Sequence, residues 1–157
     1  MMKRLRNPYA DQPGYNCFGC SPANSIGLQM AFFEDGEEVV STWRPGTQFQ
    51  GFHDILHGGI QSTLMDEIAS WVVFVKLKTV GVTYRLNTRF KAPVRISSGE
   101  ITLRARFVEQ RRNIATIKVE LLDGEGKKCS ESVVDYFLIP QEKAEKEFHY
   151  PGKEAFY

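Results

Sequence analysis

A chain of 157 residues, 42% of them hydrophobic and 25% charged, is the size and make-up of one globular domain with one core. Its net charge of +1, with basic residues scattered along the chain, supplies no field that would gather nucleic acid, so no nucleic-acid partner is expected. The basic start, residues 1–8, leads into no apolar run long enough for a signal peptide or a membrane span, which makes a cytoplasmic protein with no membrane partner the expectation.

Residues 1–25, dense in Pro, Gly and Asn, read as an irregular N-terminal arm. The arm carries Cys17-Phe18-Gly19-Cys20 in a chain of three cysteines, an odd count that argues against a disulfide framework. A structural zinc site wants four ligands, yet Cys129 is far along the chain and the three histidines show no paired spacing near the motif. A redox motif should close a strand and open a helix, whereas Gly14, Asn16, Ser21, Pro22 and Asn24 surround this one with loop residues. A structural loop without metal is the expectation.

A first strand is expected over residues 28–34, a turn at Glu34-Asp35-Gly36-Glu37, and a second strand over 38–43 that stops before Pro45-Gly46. A loop of about a dozen residues then reaches His57-Gly58-Gly59, where a long helix begins and runs to about residues 76–78. Leu64, Ile68, Trp71, Val72 and Val75 follow the three-four spacing, and Ile60, Met65, Ala69 and Val73 fill the flanking faces, so the helix is the core helix. Ser62, Asp66 and Ser70 stack a carboxylate between two hydroxyls along one stripe. Asp66 is therefore either a structural acid bonded to its neighbours or a functional one.

After the helix, Val82, Tyr84, Leu86, Thr88 and Phe90 alternate with Thr83, Arg85, Asn87, Arg89 and Lys91, a half-buried strand over 82–91 stopped by Pro93. Three more strands follow as a meander, 100–109, 114–122 and 127–139, joined by hairpins at residues 110–113 and 123–126. Ile101, Leu103, Ala105 and Phe107 form one inward set with Ala115, Ile117, Val119 and Leu121. Residues 141–157 read as a short helix or a tail docked on the surface. The sum is an antiparallel sheet curled around one buried helix, and its long edge predicts a homodimer.

His57-Gly58-Gly59 opens the helix, where backbone N–H groups lack intrahelical partners and the dipole is positive, a ready oxyanion hole. His57 reads equally as a capping and as a catalytic residue. Asp66 lies about 10 to 12 Å from that end, too far for one helix to grip one carbonyl with both groups. Two antiparallel helices in a dimer would bring the N–H of one copy to Asp66 of the other.

These residues carry a resemblance. Cys17-Phe18-Gly19-Cys20, His57-Gly58-Gly59 with Asp66 nine positions after the histidine, and Gly81-Val82-Thr83 through Leu86-Asn87 to Phe90 and Pro93 resemble the hotdog-fold acyl-CoA thioesterases of the phenylacetate-degradation and 4-hydroxybenzoyl-CoA thioesterase type, over about residues 15–140. The resemblance implies an α+β hotdog fold across residues 1–157, with five to six curved strands around one long helix. It also implies hydrolysis of a small or medium acyl-CoA to free acid and CoA without metal or cofactor, by a homodimer or a tetramer built as a dimer of dimers. It makes Asp66 the general base or nucleophile, the Gly58 N–H the oxyanion donor, His57 the histidine before that donor, and Thr83 the hydroxyl that places water. Gly59, Ser70, Asn87 and Arg89 become candidates for binding substrate, with Arg85, Arg89 and Lys91 placed to meet either CoA phosphates or solvent. One departure stands out: six residues before His57, where several such proteins carry Asn or Gln, this chain has Gly51, leaving Gln48, Gln50 or His53 as replacements.

Two other functions fit the same residues. An enoyl-thioester hydratase or dehydratase would pair His53 or His57 with Asp66 or Glu67 as acid and base, and a non-catalytic acyl-CoA-binding protein would keep the fold and lose the chemistry.

Overall fold

A computed structural model of the chain describes all residues, 1–157. Its central element is helix α1, Gly58–Lys76. The helix starts where His57 caps it through a side chain that accepts the Gly59 N–H, and it stops where Lys78 takes a left-handed conformation at φ 58. Leu64, Met65, Ile68, Ala69, Val72, Val73 and Val75 are completely enclosed, as the apolar spacing requires. One polar residue is buried among them. Gln61 donates to the Leu56 carbonyl at 3.1 Å and accepts from Ser130 Oγ at 2.9 Å, which satisfies its amide.

The helix is covered by one antiparallel sheet of seven strands, β1 Met2–Arg4, β2 Phe33–Asp35, β3 Glu38–Trp43, β4 Gly81–Phe90, β5 Ile101–Arg111, β6 Ile114–Leu122 and β7 Lys128–Leu138, in the spatial order β1-β2-β3-β5-β6-β7-β4. Leu103 faces Leu121, Ala105 faces Val119 and Phe107 faces Ile117 across β5 and β6. That is the inward set expected from alternation, and all but the partly buried Phe107 are fully enclosed. A hotdog architecture results, with seven strands where five to six were expected.

The extra strand lies in the N-terminal arm. Met2–Arg4 pairs with β2, but its three residues are all exposed and so leave no burial pattern in the sequence. The arm is also less detached than its composition suggests, since Leu5, Tyr9 and Cys20 join the core. At the other end, residues 141–157 form helix α2, Gln141–Glu147, and a final turn whose Phe156 is fully buried beside Trp71. The tail therefore closes the core as well as lying on it.

The first expected strand is shortened to Phe33–Asp35. Leu28, Met30 and Phe32 are buried with the period of a strand, but the backbone there bonds elsewhere: the Leu28 N–H to the Phe18 carbonyl and the Met30 N–H to the Gly19 carbonyl, with Gln29 between them at φ 51. The cysteine loop occupies the place of a neighbouring strand.

Strand β4 is the long free edge. The alternation of Val82, Tyr84, Leu86, Thr88 and Phe90 does not hold as one face, because the register to β7 shifts between Thr83 and Arg85. Tyr84 is left without a partner, and Thr83 joins Leu86, Thr88 and Phe90 on the side of Tyr136 and Val134. Nor is the strand half-buried within one chain: Val82, Tyr84, Leu86 and Phe90 are all exposed, as are Val133 and Phe137 of β7 beside it. No helix is long and apolar enough to cross a membrane.

Candidate active site

Asp66 projects from the middle of α1 toward the free edge of the sheet. Its carboxylate accepts from two hydroxyls on paired positions of β4 and β7. Thr83 Oγ1 lies 3.0 Å from Oδ1 and 3.3 Å from Oδ2, and Tyr136 Oη lies 2.6 Å from Oδ1 and 2.6 Å from the Asp66 carbonyl. Burial, and then the carboxylate beside it, push the Tyr136 phenol well above its ordinary value, so it remains a donor. The two hydroxyls engage Oδ1 more closely than Oδ2, and Asp66 itself is only partly buried. The result is a fixed, partly exposed carboxylate whose Oδ2 has only the longer Thr83 contact, an arrangement that suits a general base or a nucleophile.

Thr83 and Asp66 are thus brought together as expected; Tyr136 is the residue sequence reasoning missed. The signal lay in the last strand, where Tyr136 shares a face with Ser130, Ser132 and Val134, but only the bulge at Tyr84 shows that Thr83 and Tyr136 address the same atom.

The other candidates sit at the start of α1. His57 Nδ1 accepts the Gly59 N–H at 2.9 Å, which is the capping reading of this histidine and removes the Gly59 amide from the free donors. The Gly58 N–H finds no acceptor within the chain. A cleft of about 350 Å³ opens there, lined by Ile55, Leu56, Gly58, Gln61, Phe90 and Pro93 among others. Within one chain these groups do not meet Asp66, which is eight residues further along α1, about 12 Å at the helical rise. Gly51 lies against His57, close enough that a side chain would begin at 3.6 Å from its ring. Of the residues placed to replace an amide there, Gln50 accepts the Asp54 N–H at 3.3 Å, Gln48 folds over Gly46, and His53 is exposed.

Ser70 donates to the Glu67 carbonyl of its own helix at 2.7 Å and does not reach Asp66. Asn87 and Arg89 line a separate depression of about 200 Å³ with Lys118, Glu131, Ser132 and Val133 on the outer face of the sheet. Arg85 is paired with Asp135 at 3.2 Å and Lys91 with Glu131 at 3.0 Å, whereas Arg89 and Lys118 form no ion pair.

Glu67 faces the opposite way from Asp66, into the cysteine loop. Its Oε1 lies 3.6 Å from Cys17 Sγ, and burial pushes its carboxyl up to about 7. The adjacent Cys20 thiol draws Cys17 down to about 5, while Cys20, a free thiol hydrogen-bonded to Cys17 and buried, is pushed far up. The three side chains share a cavity of about 370 Å³ with Tyr15, Ser70 and His149. Sequence alone placed Glu67 only as an alternative acid to Asp66 and the cysteines in a structural loop. A contact between residues fifty positions apart had no sequence signal.

Comparison with known proteins finds thioesterases. Residues 53–130 match the model of the thioesterase superfamily. A curated protein of Thermoplasma acidophilum with an esterase name is 33% identical over 86 residues, which cover 54% of this chain and 64% of that protein's length. A solved thioesterase of Haemophilus influenzae shares 25% identity at a TM-score of 0.69, covering 78% of this chain and 86% of that one. A thioesterase protein of Streptococcus pneumoniae, solved with coenzyme A, shares the fold at 24% identity and a TM-score of 0.62, covering 67% and 83% of the two chains.

Proposed function

Since residues 53–130 belong to the thioesterase superfamily, we propose that this protein hydrolyses a small or medium acyl-CoA thioester to the free acid and CoA, at sites assembled from two copies of the chain. The observation that carries the reading is the partly exposed Asp66 carboxylate, fixed on Oδ1 by Thr83 and Tyr136 and held at Oδ2 only by the longer Thr83 contact. A thioester carbonyl is weakly stabilised by resonance, so a carboxylate that takes a proton from attacking water, with one amide N–H facing the developing oxyanion, is enough. Oδ2 receives the proton, the water oxygen bonds to the carbonyl carbon, and collapse of the tetrahedral intermediate expels CoA as its thiolate, which the proton held by Asp66 then neutralises. Direct attack by Asp66 to give an anhydride uses the same two groups.

The free Gly58 N–H beside an apolar cleft supplies the oxyanion donor, worth about 100- to 1000-fold in rate. Because it is about 12 Å from Asp66 of its own helix, the donor comes from the partner copy. The exposed apolar residues along β4 support that assembly. Arg89 and Lys118, free of ion pairs at the depression on the sheet's outer face, suit the phosphates of CoA, and the Streptococcus pneumoniae protein was solved with coenzyme A. Neither cofactor nor metal enters the hydrolysis. The hydratase reading lacks support, since His57 is engaged as a cap and His53 is exposed.

The test is release of thiol from a panel of acyl-CoAs, followed with a thiol reagent, for the wild type and Asp66→Asn. Loss of about 10²- to 10⁴-fold in the variant is expected for removal of the base. A wild type that releases no thiol but consumes the double bond of an enoyl-CoA replaces hydrolysis with hydration, and silence in both assays with CoA still bound leaves a binding protein.

A further inference from the structure

We propose that Cys17, Cys20 and Glu67 form a binding site for one zinc-class divalent cation, with two sulfur ligands, one carboxylate ligand and a fourth position facing the cavity. The one ligand atom each residue offers lies within 4.8 Å of the others. Tetrahedral zinc with Zn–S near 2.3 Å and Zn–O near 2.1 Å separates a sulfur from an oxygen ligand by about 3.6 Å, and the Cys17 Sγ to Glu67 Oε1 distance is 3.6 Å.

The surroundings are those of a thiolate site. Tyr15 Oη lies 3.0 Å from Cys20 Sγ, and Asn7 Nδ2 reaches the same sulfur at 3.7 Å while also donating to the Cys20 carbonyl at 3.2 Å. Such outer donors orient ligands and steady their charge. Gly19 permits the close approach: a Cβ there would stand 2.4 Å from the Glu67 carboxyl carbon, so any side chain would displace that carboxylate from the two sulfurs. A divalent cation would match the negative charge of the carboxylate and the thiolates that meet there. The fourth position opens on the cavity lined by Ser70 and His149, which leaves it to water, as in zinc sites with three protein ligands.

The proposal is independent of thioester hydrolysis, and its test reads metal directly. The full-length chain, reduced and stripped by a chelator, is titrated with Co²⁺ and then Zn²⁺. One equivalent of cobalt should give a near-ultraviolet thiolate-to-metal band and intense tetrahedral visible bands, both erased by zinc. Cys17→Ser and Cys20→Ser should each abolish the two-thiolate spectrum, Glu67→Gln should weaken binding at least about tenfold, and Tyr15→Phe should weaken it about tenfold. Cys129→Ala and Asp66→Asn should keep the spectrum, the latter whatever its hydrolytic rate. Should the cysteine variants misfold, protection of Cys17 from alkylation by zinc in the wild type carries the same information. Reduced wild type without a thiolate band, a band that survives loss of Cys17 and Cys20, or alkylation unaffected by zinc overturns the proposal.

Discussion

Two hydroxyls hold Asp66 from different depths, and their loss should separate. Thr83 is exposed on the edge strand, so Thr83→Ala should leave the melting temperature nearly unchanged while lowering acyl-CoA turnover about tenfold, the scale of one hydrogen bond to a charged group. Tyr136 is 1% exposed, and Tyr136→Phe should cost about 1–3 kcal/mol of stability as well as turnover, because the Asp66 carboxylate and carbonyl both lose a buried donor. Thermal unfolding beside thiol-release kinetics checks both, and a Thr83→Ala chain that melts early yet turns over normally would make that threonine structural. Asp66 and Gly58 were legible as candidates because a polar stripe on an apolar helix and a glycine pair at its start mark them, while Thr83 came only from the family resemblance. Tyr136 and Glu67 were not, since each acts through a contact with a residue distant in sequence.

Elements were legible where the backbone follows its side-chain pattern. Strand β6 carries clean alternation, and the structure keeps its expected bounds and those of β3; residues 28–32 alternate too, but their N–H groups bond to the cysteine loop, so the pattern reports burial without a ladder. The end of α1 is tied to β2 by another contact invisible in sequence. Lys76 Nζ donates to Glu34 Oε2 at 2.7 Å, and the Tyr157 hydroxyl donates to the same oxygen at 2.8 Å. Burial works against the Glu34 charge, but the Lys76 and Tyr157 bonds outweigh it and hold the carboxyl below its ordinary value. A carboxyl lowered on folding stabilises fully above its unfolded value and loses that contribution as pH falls through the folded one. The melting temperature should therefore fall from about pH 5 downward, with Glu34→Gln flattening that part of the profile; parallel profiles for the two chains would remove Glu34 from the account.

For the molecule as a whole, the two edges of the sheet differ. β1 is three exposed residues, a short edge that invites no pairing. β4 is ten residues long with exposed Val82, Tyr84, Leu86 and Phe90, the edge that suits a second copy. Leu86→Lys, at a position 37% exposed, should leave the chain folded but halve its mass by sizing chromatography or light scattering, and should abolish hydrolysis with Asp66 intact. A wild type that is monomeric, or a monomeric variant at full activity, would sink the shared site. Edge length is the sequence argument for an assembly, whereas the seventh strand and the burial of the tail depend on the two chain ends meeting over Trp71, where the Arg6 N–H bonds the Phe156 carbonyl at 2.7 Å.

Along that same edge, β4 has one residue more than its ladder to β7 has rungs, and Tyr84 is the residue left over. The hydroxyl presented to Asp66 is consequently a matter of parity. If the strand were drawn straight with every residue kept and the rungs from Arg85 onward unchanged, Tyr84 would take the rung of Tyr136 and Thr83 would turn outward opposite Phe137. A slip of one residue would then strip a proton donor from the carboxylate with the composition of the site unaltered.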